Sequence, residues 1–225
     1  MNTAIIVAAG SGQRFSASQP KQFVNVLGKP LIVHTLERFE ACPSIDNIVL
    51  VLSEEGRDDF ERIDARQKVT KLQPIVIGGD TRADSVQKGF HTIDNGAANI
   101  IAVHDGARPM VTVAEITRTI EAADKVGAAC LVAEVTDTIK RVNRRFISAT
   151  VDRQRLRRAL TPQAFKYDVL KRAYESNDLN ETLTDECMLV ERLGVKIAFV
   201  EGSRRNIKIT LMEDLILAAA FLKDL

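Results

Sequence analysis

The stretch TAIIVAAGSGQR, residues 3–14, joins a short apolar run to a loop that carries two glycines and an arginine. We predict a buried strand over residues 3–9 and a long loop over residues 10–29. Ligands of open α/β sheets bind beyond the carboxyl ends of the strands. Backbone N–H groups of a glycine-bearing loop can approach an anion closely at such a place. The stretch therefore predicts an α/β fold with an anion site at the end of its first strand.

The rest of the chain alternates strand-like and helical patterns, which is typical of βαβ units around a mostly parallel sheet. Further strands are predicted at 47–52, 74–77, 99–104, 128–135 and 195–200. Helices are predicted at 30–42, 54–66, 80–93, 113–125, 161–175, 184–193 and 212–222. Asp80 or Thr81 would cap the third helix and Thr184 the sixth. No linker composition divides the chain, so we predict a single domain over residues 1–225.

The composition excludes several classes of protein. Lys plus Arg is 31 and Asp plus Glu is 30, so the formal net charge is +1, and there is no Trp. Nucleic-acid-binding domains carry a strong basic excess, so we expect no nucleic-acid partner. The three cysteines lie far apart, which predicts neither a disulfide framework nor a zinc site. The apolar run 5–9 is too short for a membrane span, so we expect a cytoplasmic protein with no membrane partner.

The first loop departs from two known nucleotide-binding motifs. A dinucleotide fingerprint needs a third glycine where Phe15 stands, and a phosphate loop of the ATPase kind needs Gly-Lys-Ser or Gly-Lys-Thr. Arg14 and Lys21 remain as two cations that could fold over a triphosphate. A plain tight turn with solvated charges is the alternative that these residues leave open.

Three later connections offer polar groups at the same sheet edge. The segment GGDTR, residues 78–82, and Ser85 follow the third strand, where paired glycines permit close approach to a base or ribose. Asp105 and Arg108 follow the fourth strand, and Lys208 follows the last one. Asp105 could hold Mg²⁺, or it could pair with Arg108. The convergence of these groups predicts a site for a nucleoside triphosphate and a second anion.

Residues of about 136–153 break the alternating pattern. They are polar and extended, rich in Thr, Arg and Val, with a turn near Asn143. We predict a β-hairpin that projects from the domain.

Nine stretches of the chain, in order along it, form one pattern. They are AAGSGQR (8–14), PKQ (20–22), GGDTRADSV (78–86), HDGARP (104–109), DTIK (137–140), VDR (151–153), LTPQ (160–163), LTDE (183–186) and NIKIT (206–210). Together they resemble the 2-C-methyl-D-erythritol 4-phosphate cytidylyltransferases of the non-mevalonate isoprenoid pathway. Any one of them would be a weak match, but nine in order are highly specific. The departures are small: Phe15 stands where the family often has Met, and residues 16–19 belong to a variable part of the loop.

The resemblance implies a Rossmann-like, mostly parallel sheet flanked by helices, and a homodimer in which an extended β-arm, residues of about 136–153, clasps the partner subunit. It implies that Arg14 and Lys21 are catalytic and hold the triphosphate. The residues that it assigns to CTP are Ala8, Ala9, Gly10, Gly79, Asp80, Ser85, Asp105 and Gly106. Those that it assigns to the polyol phosphate are Asp105, Arg108, Thr138, Arg153, Thr161, Thr184 and Lys208, with Thr138 and Arg153 reaching the pocket of the other subunit.

The activity implied is the transfer of CMP from CTP to 2-C-methyl-D-erythritol 4-phosphate, with Mg²⁺ as cofactor, held mainly by the CTP phosphates. A ribitol 5-phosphate cytidylyltransferase is the nearest rival, but such sequences tend to lack the Val-Asp-Arg that stands here at 151–153. A sugar-1-phosphate nucleotidyltransferase is more distant. A non-catalytic nucleotide-binding module is a further alternative, and degenerate proteins of that kind should have lost Arg14 or Lys21.

Overall fold

The computed structural model describes residues 1–10, 20–63, 69–94, 96–176 and 183–224. Arg14 lies outside these residues, and so does the predicted end of the helix over 54–66. Within the described ranges, no helix is both long enough and apolar enough to span a bilayer.

Eleven strands are present in the described part of the chain. They are β1 (Asn2–Val7), β2 (Asn25–Val26), β3 (Lys29–Pro30), β4 (Asn47–Leu52), β5 (Val76–Ile77), β6 (Ile100–Asp105), β7 (Ala128–Glu134), β8 (Ile139–Asn143), β9 (Phe146–Val151), β10 (Arg157–Lys166) and β11 (Ala198–Glu201). Seven of them form the central sheet in the order β11-β7-β10-β6-β1-β4-β5. β10 is antiparallel to both its neighbours, and the other pairings in this sheet are parallel. The predicted α/β fold with a mostly parallel sheet is confirmed.

Helices cover both faces of the sheet. They are α1 (Leu31–Glu40), α2 (Glu54–Glu61), α3 (Arg82–His91), α4 (Val113–Val126), α5 (Tyr167–Ser176), α6 (Glu186–Arg192) and α7 (Asp214–Leu222). Successive side chains of a strand point to opposite faces. Ile6 accordingly packs in the cluster that includes α1 and α4, whereas Ile5 packs in the cluster that includes α3, α5 and α6. This two-sided burial explains why β1 is apolar without alternation.

The carboxyl ends of the central strands lie side by side. Val7, the last residue of β1, is in register with Val51 on β4 and with Asp105 on β6. Asp105 is itself the last residue of β6, one residue beyond the predicted strand end. Gly106 N donates to Val7 O at 2.9 Å, which ties the next connection to the end of β1. The edge that the sequence predicts as the site is therefore one continuous surface.

The predicted helix over 161–175 is wrong at its start. Residues 157–166 form β10, and α5 begins only at Tyr167. Residues 160–165 are buried, because β10 fills the space between β6 and β7. Pro162 has no N–H for a ladder bond and lies where the register with β7 breaks, between Ala159 and Gln163. Thr-Pro resembles a helix start in sequence, and here the neighbouring strands override that preference.

Side-chain caps begin two helices of the site. The hydroxyl of Thr81 accepts from Asp84 N at the start of α3, and the Asp84 carboxylate accepts from Thr81 N, which makes Thr81 the cap. At the start of α6, the Asp185 carboxylate accepts from Met188 N at 3.2 Å. The predicted cap Thr184 is wrong, since its hydroxyl contacts Met188 Sδ, and the side chain that accepts from a backbone N–H of the first turn is that of Asp185.

Strands β8 and β9 form an antiparallel hairpin, which confirms the hairpin predicted at about 136–153. Most of its side chains are exposed, including Val142, Phe146 and Ile147. Phe146 has 78% of its surface exposed, far more than a large apolar side chain of a folded core. The hairpin is therefore an apolar surface as well as a polar one.

Candidate active site

A cavity of about 370 Å³ opens at the carboxyl ends of β1 and β6. The loop after β1, the connection before α3 and the segment after β11 form its walls. The predicted site residues that line it are Ala8, Ala9, Gly10, Lys21, Gly79, Asp80, Ser85, Asp105 and Lys208.

The glycine pair 78–79 makes one wall of the cavity close-fitting. A Cβ on Gly78 would lie 2.5 Å from the Cβ of Ala9, and a Cβ on Gly79 would lie 2.5 Å from the Cβ of Asp84. The hydroxyl of Ser85 donates to Thr81 O at 2.9 Å and accepts from Gly79 N at 3.1 Å. Only glycine fits at these two positions, and Ser85 fixes the backbone that faces the cavity.

Lys21 and Gln22 join the first loop to the opposite wall. Lys21 Nζ donates to Ile209 O at 3.0 Å, across the mouth of the cavity and next to Lys208. Gln22 is buried, and its Nε2 donates to Ala8 O at 2.9 Å. No role for Gln22 is predicted from the sequence, although Gln22 belongs to the matching stretch PKQ. Its amide holds the end of β1 in place, and Lys21 is thereby set at the cavity.

Five charged side chains meet below the cavity. Asp105 Oδ1 accepts from Arg82 Nε at 2.9 Å, while its Oδ2 lies 3.3 Å from Arg108 Nε and 3.0 Å from Lys208 Nζ. Glu186 holds Nη1 of Arg82 with both carboxylate oxygens, at 2.8 and 3.0 Å. Three cations and two carboxylates leave this group with a net charge of +1. Asp105 does pair with Arg108, as one of the sequence alternatives had it, but it pairs with two further cations as well.

Burial and pairing move the pKa values of this group in opposite directions. Burial alone would raise the pKa of Asp105, but Arg82, Lys208 and Arg108 hold that pKa well below its usual range. Burial raises the pKa of Glu186, and Arg82 only partly opposes the rise. Burial would lower the pKa of Arg82, but its two carboxylate partners raise it instead. Asp105 and Arg82 are therefore charged at neutral pH.

His104 and Thr161 support this group from within the core. The Thr161 hydroxyl lies 3.0 Å from His104 Nδ1 and accepts from Asp105 N at 3.1 Å, while His104 Nε2 lies 3.1 Å from Arg108 O. Burial lowers the pKa of His104 to about 3, so the ring is neutral. A neutral ring that donates from Nε2 to the Arg108 carbonyl accepts from the Thr161 hydroxyl at Nδ1. This chain of hydrogen bonds fixes the turn from Asp105 to Arg108.

The remaining predicted residues lie away from the cavity wall or outside the described chain. Arg108 and Thr161 stand behind Asp105, and Thr184 is exposed at the start of α6. Thr138 and Arg153 belong to the exposed arm, where Arg153 Nη1 donates to Thr136 O. Gly106 faces the end of β1, where a Cβ would lie 2.9 Å from that of Ala8. Arg14, at 11–19, lies outside the described residues.

Comparison with known proteins decides the family. The sequence model of IspD, 2-C-methyl-D-erythritol 4-phosphate cytidylyltransferase, matches residues 2–224. The chain belongs to this family. The cytidylyltransferase of that name from Syntrophus aciditrophicus is 42% identical over 98% of this chain and 95% of its own length, and that of Bacillus velezensis is 41% identical over 97% and 94%. A crystal structure of 4-diphosphocytidyl-2C-methyl-D-erythritol synthase from Anaerococcus prevotii superposes with a TM-score of 0.86 at 30% identity, covering 99% of this chain and 96% of that one.

Membership of the 2-C-methyl-D-erythritol 4-phosphate cytidylyltransferase family makes the chain a nucleotidyltransferase of isoprenoid biosynthesis. The structure places two further residues in the charged group at the cavity, Arg82 and Glu186, for which the sequence predicts no role. Both lie within matching stretches, GGDTRADSV and LTDE. Nothing in a single sequence shows that an arginine and a glutamate 104 positions apart share one contact.

Proposed function

We propose that this chain transfers CMP from CTP to 2-C-methyl-D-erythritol 4-phosphate, giving 4-diphosphocytidyl-2-C-methyl-D-erythritol and pyrophosphate. The observation that carries this proposal is a cavity whose floor is the net-positive group of five charged side chains, Lys208 among them. Lys21 adds a further cation at the rim of the cavity. A cleft of this charge suits two phosphorylated substrates, because it lowers the repulsion between them.

The two substrates would occupy different parts of the cavity. Ala8, Ala9, Gly10, Gly79, Asp80, Ser85, Asp105 and Gly106 would bind CTP, and the close-fitting glycine pair suits a flat base and its ribose. Lys21 and Arg14 would hold the triphosphate. Asp105, Arg108, Thr161, Thr184 and Lys208 would bind the polyol phosphate, joined by Thr138 and Arg153 from the arm of a second subunit. Arg108 and Thr161 would in addition set the position of Asp105, since both are in contact with it.

The reaction needs no general base. The second pKa of a phosphate monoester is about 6, so the polyol phosphate is mostly dianionic at neutral pH. One of its oxygens attacks the α-phosphorus of CTP, the bond from this phosphorus to the bridging oxygen breaks, and pyrophosphate leaves with both electrons. Lys21 and Arg14 would stabilise the charge that develops on the bridging oxygen. His104 takes no part in proton transfer, since it is buried and hydrogen-bonded on both ring nitrogens.

Mg²⁺ fits this site as a companion of the nucleotide. Within residues 1–10, 20–63, 69–94, 96–176 and 183–224, no group of three His, Cys, Asp or Glu side chains could hold a metal ion. Asp105 has both oxygens on cations, so we propose that the phosphates of CTP supply most of the ligands. Mg²⁺ is commonly bound in this way, through substrate phosphates and few carboxylates. When bound, it would neutralise phosphate charge at the site of attack.

We further propose that the chain works as a homodimer joined by the arm. Of the 31 Lys and Arg residues, five lie in the arm, residues 136–153, and of the 30 Asp and Glu residues two lie there, Asp137 and Asp152. The arm thus carries a net charge of +3 and the rest of the chain −2, which favours docking of the arm onto the body of a second copy. Exposed Phe146 and Ile147 supply the apolar contact. Sedimentation should give a dimer, and Phe146→Ser with Ile147→Ser should shift it toward monomer.

The domain organisation and the location in the cell complete the proposal. The seven-stranded sheet takes strands from residue 2 to residue 201. This supports a single nucleotidyltransferase domain over 1–225 with a projecting arm. Cys42, Cys130 and Cys187 are free and buried, which suits a reducing cytoplasm.

Pyrophosphate release from CTP tests the proposed reaction. The assay uses 2-C-methyl-D-erythritol 4-phosphate, ribitol 5-phosphate and a sugar 1-phosphate as separate acceptors, each with Mg²⁺ and with a chelator. We expect release with the first acceptor and Mg²⁺ only. Preference for ribitol 5-phosphate would make the chain a cytidylyltransferase of the rival specificity. Binding of CTP without release of pyrophosphate with any of the acceptors would indicate a non-catalytic module.

A further inference from the structure

Glu186 is a buried carboxylate whose one hydrogen-bonding partner among the described residues is Arg82. Glu186 is the first residue of α6, with 2% of its surface exposed. Both of its oxygens accept from the same atom, Nη1 of Arg82, at 2.8 and 3.0 Å. Burying a carboxylate costs several kcal/mol unless a partner compensates. The position of Glu186 is therefore understandable only together with Arg82.

Arg82 is held between two carboxylates that come from different elements. Its Nε donates to Asp105 Oδ1 at the end of β6, and its Nη1 donates to Glu186 on α6. Arg82 also lines the cavity, so its guanidinium is within reach of anions that enter. A guanidinium forms strong bidentate pairs with phosphate. Asp105 and a bound polyphosphate would therefore compete for the same guanidinium, and a further contact is needed to keep Arg82 on Asp105.

The surroundings of Glu186 show what its charge opposes. Arg82 on α3 is the cation that lowers the pKa of Glu186. Asp105 on β6 and the neighbouring Asp185 raise that pKa. The charge of Glu186 in turn helps burial to raise the pKa of the Tyr174 hydroxyl on α5. Arg82 is thus the favourable partner among mostly unfavourable ones. If Glu186 were neutral, the net charge of the five-residue group would rise from +1 to +2, and Nη1 of Arg82 would keep only a neutral acceptor in place of a charged one.

We propose that Glu186 is a positioning residue that keeps the Arg82 guanidinium on Asp105 and away from the phosphates in the cavity. This inference rests on the proposed function, which places CTP and a polyol phosphate in that cavity. Glu186 touches neither substrate. It acts through Arg82, so that Asp105 keeps one orientation for the polyol and the phosphates are left to Lys21, Lys208 and Arg14.

Replacement by glutamine tests the role of the charge with little change in shape. In Glu186→Gln a neutral amide oxygen holds Arg82 less strongly than the carboxylate does, so Arg82 can turn to a phosphate. CTP should then bind about fivefold more tightly, because charge-assisted pairs with phosphate are stronger than a hydrogen bond to a neutral acceptor. In turnover, the KM for the polyol phosphate should rise about tenfold, since residues of one network couple at this level, while the KM for CTP should not rise. A residue that only stabilises the fold would weaken both substrates together.

Glu115→Gln is the matched control. Glu115 is likewise buried, but it accepts from Thr112 N, the Thr112 hydroxyl and Ser203 N, and it does not line the cavity. Both variants remove one buried carboxylate, so a loss of thermal stability is expected in each. Only Glu186→Gln should change the dissociation constant of CTP and the KM of the polyol phosphate.

The decisive experiment measures CTP binding by calorimetry and both KM values for the wild type, Glu186→Gln, Glu115→Gln, and Glu186→Gln in an Asp105→Asn background. We expect tighter CTP binding in Glu186→Gln. In the Asp105→Asn background, adding Glu186→Gln should raise the KM for the polyol phosphate by less than a further twofold. Unchanged or weaker CTP binding, or equal effects in both Glu variants, would overturn the proposal. If Glu186→Gln does not fold, Arg82→Lys replaces it in the test, because a lysine cannot span both carboxylates. Arg82→Lys should then show the same rise in the KM for the polyol phosphate. A wild-type KM for the polyol phosphate in Arg82→Lys would count against the proposal.

The wild type separates this inference from the function on which it rests. Wild-type turnover together with unaltered CTP binding in Glu186→Gln rejects the positioning role alone. A wild type that releases no pyrophosphate with any acceptor rejects the proposed function, and the calorimetry still decides whether Glu186 restrains Arg82.

Discussion

Arg82 Nε donates to Asp105 Oδ1 at 2.9 Å and thereby joins the first turn of α3 to the last residue of β6. The contact is partly buried, and it lies at the floor of a cavity where two phosphorylated substrates would meet. Since Asp105 is also in contact with Arg108 and Lys208, one carboxylate organises cations from three connections of the sheet.

Lys21→Ala should lower kcat by about 10²-fold while the fold survives. The side chain reaches across the mouth of the cavity to Ile209 O, and losing a cation that stabilises transition-state charge costs about 3 kcal/mol. Steady-state kinetics and a thermal melt measure the two effects. Lys29→Ala is the control, because Lys29 pairs with Glu37 outside the cavity. Turnover near that of the wild type in Lys21→Ala would remove the catalytic role.

Gly78→Ala should raise the KM for CTP at least tenfold. The new Cβ would lie 2.5 Å from the Cβ of Ala9 and 2.7 Å from Ser85 Oγ, so the two walls of the cavity must move apart. Overpacking of this kind costs about 1–3 kcal/mol in stability. Val86→Ala, on the buried face of α3, should destabilise by a similar amount and leave the KM for CTP unchanged. If both variants changed the KM equally, the close fit would have no part in binding.

Arg153→Ala should raise the KM for the polyol phosphate about tenfold and change that for CTP less than twofold. Arg153 stands at the foot of the arm and would reach the pocket of the second subunit. Arg205→Ala removes a different exposed arginine, one that pairs with Asp224, and should leave both constants unchanged. An equal rise in both KM values of Arg153→Ala would point to a structural role.

His104→Gln should reduce the loss of stability in acid. Burial lowers the pKa of His104 to about 3 in the folded chain, whereas an unfolded histidine has a pKa of about 6.5. The unfolded chain therefore binds the proton first, and stability falls as the pH drops below about 6.5. Between pH 7 and pH 5 this one group should cost the wild type about 2 kcal/mol. Urea unfolding at both pH values measures it, and an identical acid loss in His104→Gln would refute the assignment.

The sequence predicts this fold well where local pattern and burial agree, and badly where neighbouring strands decide. The apolar run of β1 and the loop after it predict the sheet edge and its cavity. Thr161 and Pro162 predict a helix start, yet the gap between β6 and β7 makes their segment a strand. The missing information is the pairing partner, which is distant in sequence.

The same limit holds for the site. The position of Lys21, Gly79 and Asp105 at the cavity could be predicted because each stands at or beyond the carboxyl end of a strand in a mostly parallel sheet. The link from Glu186 through Arg82 to Asp105 joins three elements, and no spacing in the chain indicates it. The resemblance assigns Arg108 and Thr161 to the polyol phosphate, and this stays a prediction, while their contacts with Asp105 could not be read from the sequence.

A crystal structure with CTP, Mg²⁺ and a non-reactive polyol phosphate analogue tests the central claim most directly. The account predicts the cytosine against the glycine pair 78–79, the triphosphate in contact with Lys21 and Arg14, and the second phosphate near Lys208. Nucleotide bound elsewhere, with Lys21 and Arg14 both remote from its phosphates, would contradict it.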